Sequence, residues 1–393
     1  MGTNQTALFW SKAFYFCFYA AAAALLPFLA LYYESQGLSG RQIGFLTGIS
    51  PLVGLIAAPL WSALADFFRR HKAIWMISIT GAITMALVLS QVSFFLYLIP
   101  VVILFAFFAS PIVPLADNAV MALLVGRKDQ YGRQRIWGAI GWGVAAPLIG
   151  QLIETSGLQW SFWGYAIIMF ISLLIVQRIP LNQVSQQVPF WRGARSLLSN
   201  RSWLLFLFLV FVGGAGQAVI HNYLFLYMNE MGASKTLMGL ALTVATISEL
   251  PMFFFADRLL VRWSARGLFV FGTIMYVFRA ILLSLINMPQ LILLTQLFHG
   301  LTFTAMWVAG VSYADEIAPS GLGATAQGLF NGIFMGIASA TGAMVGGILY
   351  QDYGGAIMYR TMSIVVAISV LIFLGAQWKF NQVTTSQRKY DPN

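Results

Sequence analysis

The feature that most constrains this chain is a succession of apolar runs, each long enough to cross a bilayer. They lie at residues 7–33, 41–65, 73–91, 95–125, 135–154, 159–177, 203–228, 236–257, 267–287, 290–314, 324–350 and 357–379, with short polar or Gly/Pro-containing connectors between them. A spanning helix needs about 20 such residues, because at 1.5 Å of rise per residue it must cross roughly 30 Å of hydrocarbon. The runs lack the alternation of barrel strands, and a helix satisfies its own backbone in lipid, so each run is read as a helix. The expected fold is an all-α polytopic membrane protein, twelve transmembrane helices in two six-helix bundles. Composition agrees: 59% of the chain is hydrophobic and 9% charged, against roughly 45–50% and 25% in a soluble domain.

The longest polar connector, Arg178 to Ser202, gives the domain plan. Residues 1–177 form an N-terminal bundle, 178–202 a cytoplasmic linker, 203–379 a C-terminal bundle and 380–393 a cytoplasmic tail. A shift of 191 residues lays Ala65-Asp66 on Ala256-Asp257, Gly132 on Gly323 and Gly141 on Gly332, which points to a duplicated six-helix unit. The net charge of +10 is read as topology rather than as a nucleic-acid partner, because the basic residues sit in the connectors. Of the 22 Lys and Arg, Arg41, Lys235 and Arg360 fall in the opposite connectors, Lys12 opens the first helix and Arg279 lies inside the ninth. Both termini are therefore expected in the cytoplasm, in a plasma membrane of the bacterial inner type, with the protein a monomer in its lipid bilayer.

Cys17, alone in an apolar run, excludes an intrachain disulfide and a cysteine metal cluster. No basic segment followed by a cleavage site precedes the first apolar run, so it is read as a span and not a signal peptide. There is no phosphate loop, paired Cys/His spacing or Gly-x-Ser-x-Gly motif. The expectation is a non-enzyme without catalytic residues, cofactor or metal, driven by a gradient or working passively.

Ionisable side chains in the hydrocarbon are costly and usually retained for a task. Asp117 lies roughly 10 Å, Glu249 roughly 12 Å and Arg279 roughly 17 Å from the cytoplasmic ends of the fourth, eighth and ninth helices, and His299 roughly 14 Å from the outer end of the tenth. Glu249 is the candidate proton-exchange residue, with Arg279 and His299 tuning it. The alternatives are a fixed Glu249–Arg279 tie and a hydrogen-bonded core His299. Asp117 has Arg133 and Arg135 as its nearest candidate partners, and Trp142 follows Arg135 by two turns on the same face. A ring beside a guanidinium and a carboxylate can stack a sugar or aromatic ring while the charges hold polar groups. A structural pair at Asp117 and a packing Trp142 are the competing readings. Gln217, His221 and Asn222 recur at helical spacing and could line the same cavity as His299 or lie at the interface. Pro111, Pro114 and Pro251 are expected to loosen their helices, and glycine-rich helix 11 suits close packing.

The stretches Leu64-Ala65-Asp66 to Arg69-Arg70 and Ala256-Asp257-Arg258 to Arg262 resemble the paired connectors of the major facilitator superfamily, with Ser62 and Phe67 departing from its pattern. The resemblance makes Asp66, Arg70, Asp257 and Arg262 gating connectors. Ser110-Pro111 to Asp117, Tyr131 to Gly138, Gly141-Trp142 and Ser264-Ala265-Arg266 are similar to the phenylpropionate permease branch, itself similar to lactose permease and the nucleoside–proton symporters. By that resemblance Asp117 and Arg135 are the acid–arginine substrate pair and Trp142 the stacking tryptophan. Glu249, Arg279 and His299 then fall at or near the buried coupling residues, and Thr302 stands where lactose permease has its proton-carrying carboxylate.

The expected function is secondary transport of a small polar or aromatic solute, such as an aromatic acid, sugar or nucleoside, by alternating access with a proton as co-substrate. Asp117, Arg135, Trp142, Gln217, Asn222 and His299 are expected to bind solute, and Glu249, Arg279 and His299 to couple the proton. An exporter of hydrophobic compounds with the same fold and a non-transporting receptor or scaffold are the alternatives.

Overall fold

A computed structural model of the protein describes residues 2–124, 130–180, 197–319 and 322–390, and among them the regular structure is entirely helical. Among the described residues ten helices are long and apolar enough to cross a membrane. Two of these, Lys235–Leu285 and Thr325–Lys379, have 51 and 55 residues. A straight helix of that length would be roughly 75–80 Å long, more than twice the hydrocarbon. Each is interrupted by a residue outside helical geometry, Ser264 (φ 61°) in the first and Gly354 (φ 78°) in the second. The ten helices are therefore twelve spans.

The spans are α1 (Gln5–Ser35), α2 (Gly40–Phe68), α3 (His71–Leu89), α4 (Phe95–Leu123), α5 (Tyr131–Ser156) and α6 (Gln159–Val176). The second six are α7 (Arg201–Glu230), α8 (235–263), α9 (265–285), α10 (Pro289–Ile317), α11 (323–353) and α12 (355–390). The last helix runs on to Tyr390, so the segment expected as a tail from residue 380 begins as a continuation of α12. Most of the expected linker, residues 181–196, lies outside the described residues. As expected, the Ser110-Pro111 step divides α4 into Phe95–Ala109 and Ile112–Leu123, whereas α8 stays helical through Pro251.

The duplication is clearer in the turns than in the sequence, and its offset is 195 residues at the first two turn pairs and 197 at the third, rather than 191. Gly37 and Gly232 have φ 78° and 75°, Arg69 and Ser264 have φ 52° and 61°, and Gly157 and Gly354 have φ 93° and 78°. Each pair occupies the same connector in its half. The turn before α2 ends in Ser39, whose hydroxyl caps Gln42 N, and the turn before α8 ends in Ser234, whose hydroxyl caps Leu237 N. These are N-caps that satisfy otherwise orphaned amides, and glycine ahead of each supplies the left-handed turn.

The halves meet along two seams, α2 with α11 and α5 with α8. Backbones approach so closely that a Cβ at Gly150 or Gly239 would collide with the facing helix of the α5–α8 seam, and one at Gly44 or Gly347 with the facing helix of the α2–α11 seam. Most of the side-chain hydrogen bonds between the halves gather at one end. Arg41 grips Asp352 with Nη2 at 3.0 and 2.8 Å. Asn229 donates to Glu34 at 3.1 Å, and the Lys235 amide donates to Glu154. Phe28 meets Phe225 at 5.0 Å between ring centroids.

Candidate functional site

In the first half, α1 and α5 pack tightly because Gly138 leaves room for the Tyr19 ring and Gly141 for the Phe16 backbone. That contact sets Arg135, one turn earlier, over the rings of Tyr15 and Tyr19, at 5.3 and 4.6 Å from their centroids. Tyr15 donates its hydroxyl to Asp117 Oδ1 at 2.6 Å. The expected acid–arginine pair is thus joined through a tyrosine, and no direct ion pair links Asp117 to Arg135. Arg133 is exposed. The buried Arg135 Nη1 has no protein acceptor. Trp142 is half-buried against Ala20, Ala23, Ala145 and Ala146, beside Leu242 of α8, where the two halves meet.

In the second half three of the expected residues form one chain. His299 Nε2 lies 3.2 Å from Glu249 Oε1, and His299 Nδ1 lies 3.1 Å from Arg279 Nη1. Arginine has only donors, so Nδ1 is the acceptor and the ring proton sits on Nε2, directed at the carboxylate. Arg279 is wholly buried and also donates to Thr302 Oγ1 at 3.2 Å and Gln296 Oε1 at 2.6 Å. Glu249 and Arg279 therefore make no direct tie: the imidazole stands between them.

Local structure holds the ring in place. Gly300 lets α10 come against the backbone of Ser248, whose hydroxyl accepts from Gly300 N at 3.0 Å and donates to Gln296 O at 3.1 Å. Immediately after His299 the helix widens into a π segment, Gly300–Thr304, a distortion common at functional positions. Glu249 and His299 keep 20% and 24% of their side-chain surface exposed, so the chain is open at one edge.

The two clusters share a depth. Along the antiparallel α5–α8 seam, Gly150 faces Lys235, Gly239 faces Ala146, and Thr243 donates to Gly143 O at 2.7 Å. Continued by one to two turns, that register sets Glu249 level with residues near 137, within about 3 Å of rise from Arg135.

The remaining expected residues are dispersed. Gln217 is buried and reaches Met306 Sδ at 3.8 Å, and the Asn222 amide bonds to Ala218 O on its own helix. Asp66 pairs with His71 at 2.8 Å across the α2–α3 turn, a partner not expected from the sequence. Arg70, Asp257 and Arg262 are exposed, and among the described residues none of the three forms an ion pair. Sequence reasoning missed Tyr15, Tyr19 and Gln296. The four-residue spacing of the tyrosines on α1 was their one visible mark.

Comparison with known proteins supplies the family and the fold. Residues 8–361 match the family described as MFS_1 like. A maltose permease of Geobacillus stearothermophilus is 25% identical over 363 residues, 92% of each chain. A probable 3-phenylpropionic acid transporter of Escherichia coli (strain K12) is 24% identical over 366 residues, 89% of this chain and 93% of that one. The crystal structure of the nucleoside transporter NupG superposes with a TM-score of 0.81 at 16% identity, over 95% of this chain and 99% of that one, a likeness of fold. With twelve spans in two halves and a family match over most of its length, this multi-pass membrane protein belongs to the MFS_1 like family of the major facilitator superfamily.

Proposed function

We propose that the protein is a proton-coupled secondary transporter that takes up a small polar or aromatic solute by alternating access. The solute is held between Asp117, Tyr15, Arg135 and Trp142 on one side and the Glu249–His299–Arg279 chain on the other. The excess of Lys and Arg in one set of connectors supports a reading with both termini in the cytoplasm and the protein in a bacterial inner membrane.

The observation that carries the reading is the imidazole held between Glu249 and Arg279. Its Nε2–H serves an ionised Glu249, whose negative charge offsets Arg279 through the ring. A proton on Glu249 removes that offset and leaves a fully buried guanidinium among neutral acceptors, an expensive state in a low dielectric. Proton uptake thereby destabilises one arrangement of α8, α9 and α10, which is what coupling to a conformational change requires. Thr302 cannot carry the proton, so Glu249 is the acceptor.

The test uses the full chain in proteoliposomes with labelled maltose, 3-phenylpropionate and uridine. A solute that the wild type accumulates under an inward pH gradient is expected to equilibrate without accumulation in Glu249→Gln, while solute exchange persists. Accumulation undiminished in Glu249→Gln rejects the coupling assignment. Accumulation of none of the three, with extrusion of hydrophobic dyes instead, rejects the uptake reading.

A further inference from the structure

We infer that His221 is a solute-recognition residue at the closed end of the central site, binding an oxygen-bearing group, a hydroxyl or carboxylate, of the solute. The inference rests on the transport reading above. α7 is the most enclosed of the spans, and from Val212 to Met228 its residues are buried except for His221, which is exposed, and Asn222, which is half-buried. An exposed histidine in such a helix faces either lipid or an opening inside the protein, and its neighbours on the helix decide which.

Gly214, Gln217 and Phe225 share the His221 face at helical spacing. Gly214 lies against Phe334 of α11, Gln217 reaches Met306 of α10, and Phe225 meets Phe28 of α1 edge to face. The outward face of α7 is marked by exposed Leu204 and Phe208, about 100–140° round the helix from His221. His221 therefore opens into the gap between the halves, one turn inside the Phe28–Phe225 contact that closes it.

No described residue bonds to either ring nitrogen of His221. The other two histidines are engaged, His299 by Arg279 and Glu249 and His71 by Asp66. A neutral imidazole offers one donor and one acceptor, and here both are open to whatever occupies the gap. A hydroxyl or carboxylate satisfies such a pair, and a hydrocarbon does not. This gives the site a third polar contact, on α7, facing the first half across the gap.

The chain has three histidines, so diethyl pyrocarbonate labelling read by mass spectrometry resolves each one. Without solute, His221 is expected to react faster than His299. With whichever of maltose, 3-phenylpropionate or uridine raises the thermal midpoint, His221 labelling is expected to slow while His71 labelling is unchanged. His221→Ala is expected to weaken that solute's Kd about tenfold, the loss of one good hydrogen bond, and His221→Gln, which keeps a donor and an acceptor, by less. His221 as slow as His299 in the solute-free protein overturns the inference, as does labelling that a stabilising solute does not slow. Failure of the transport reading shows elsewhere, in the accumulation assay, and the solute-free labelling order does not depend on it.

Discussion

Arg279 is fully buried with neutral acceptors around its guanidinium and its compensating carboxylate one imidazole away. Its fork serves Gln296, His299 and Thr302 together, which a lysine ammonium cannot do from one point. Arg279→Lys is expected to cost about 1–3 kcal/mol by leaving buried acceptors unpaired, read as a lower thermal midpoint in detergent. Tyr15→Phe removes the donor that Asp117 accepts at 2.6 Å. It is expected to weaken solute binding about tenfold with a small change in midpoint, measured by titration calorimetry. Glu249, Arg279 and His299 were legible in the sequence because charge inside an apolar run is conspicuous. Tyr15 and Gln296 were not, because a phenol or an amide costs little enough in such a run to carry no mark of its use.

Helices here act as rods with a lock at one end and a site residue further along. α5 carries Glu154 at the closed end and Arg135 about 19 residues, roughly 28 Å, away; α8 carries Lys235 at the closed end and Glu249 fourteen residues on, roughly 21 Å. Glycine makes their seam possible, since a Cβ at Gly239 would meet the Ala146–Pro147 backbone. Gly239→Leu is expected to disfavour closure by about 1–3 kcal/mol, as overpacking does. In a Cys17→Ser background, spin labels at Ser156→Cys and Asn287→Cys report it: a longer interspin distance than in the parent is expected, and an unchanged one rejects the seam as the lock. The apolar runs announced these helices, but not which pairs form the seams, because lipid-facing and partner-facing surfaces are equally apolar. The merged span at Ser264 shows the same limit in reverse, a boundary visible in its basic connector where the helix itself scarcely breaks.

Across the molecule, the bonds between halves other than Thr243–Gly143 lie at one end, and the pair Glu34–Asn229 joins residues related by the same offset of 195 as the first two turn pairs. Equivalent positions of the two halves thus touch each other, as expected where a pseudo-two-fold axis passes through a contact. The Arg41–Asp352 pair is solvent-exposed, with 58% and 31% of the side chains accessible, and is worth at most about 1 kcal/mol. Its loss alone is expected to leave the closed end shut. The proposed orientation, from the positive-inside bias, puts that end outside. Ser35→Cys in a Cys17→Ser background is therefore expected to react with a membrane-impermeant maleimide in right-side-out vesicles, and protection of that position reverses the orientation.

By itself the sequence determined that the chain crosses a membrane twelve times and which few side chains bear charge there, because hydration energies of apolar and ionised groups are large and additive along a chain. It also carried the family resemblance through short motifs at Asp66, Gly132-Arg133 and Trp142. The tertiary structure alone decided who meets whom: His299 between Glu249 and Arg279, Tyr15 between Asp117 and Arg135, and His221 left free in the gap. Those meetings depend on helix rotation and glycine-permitted approach, which shift a side chain by ångströms without changing the hydropathy of any run.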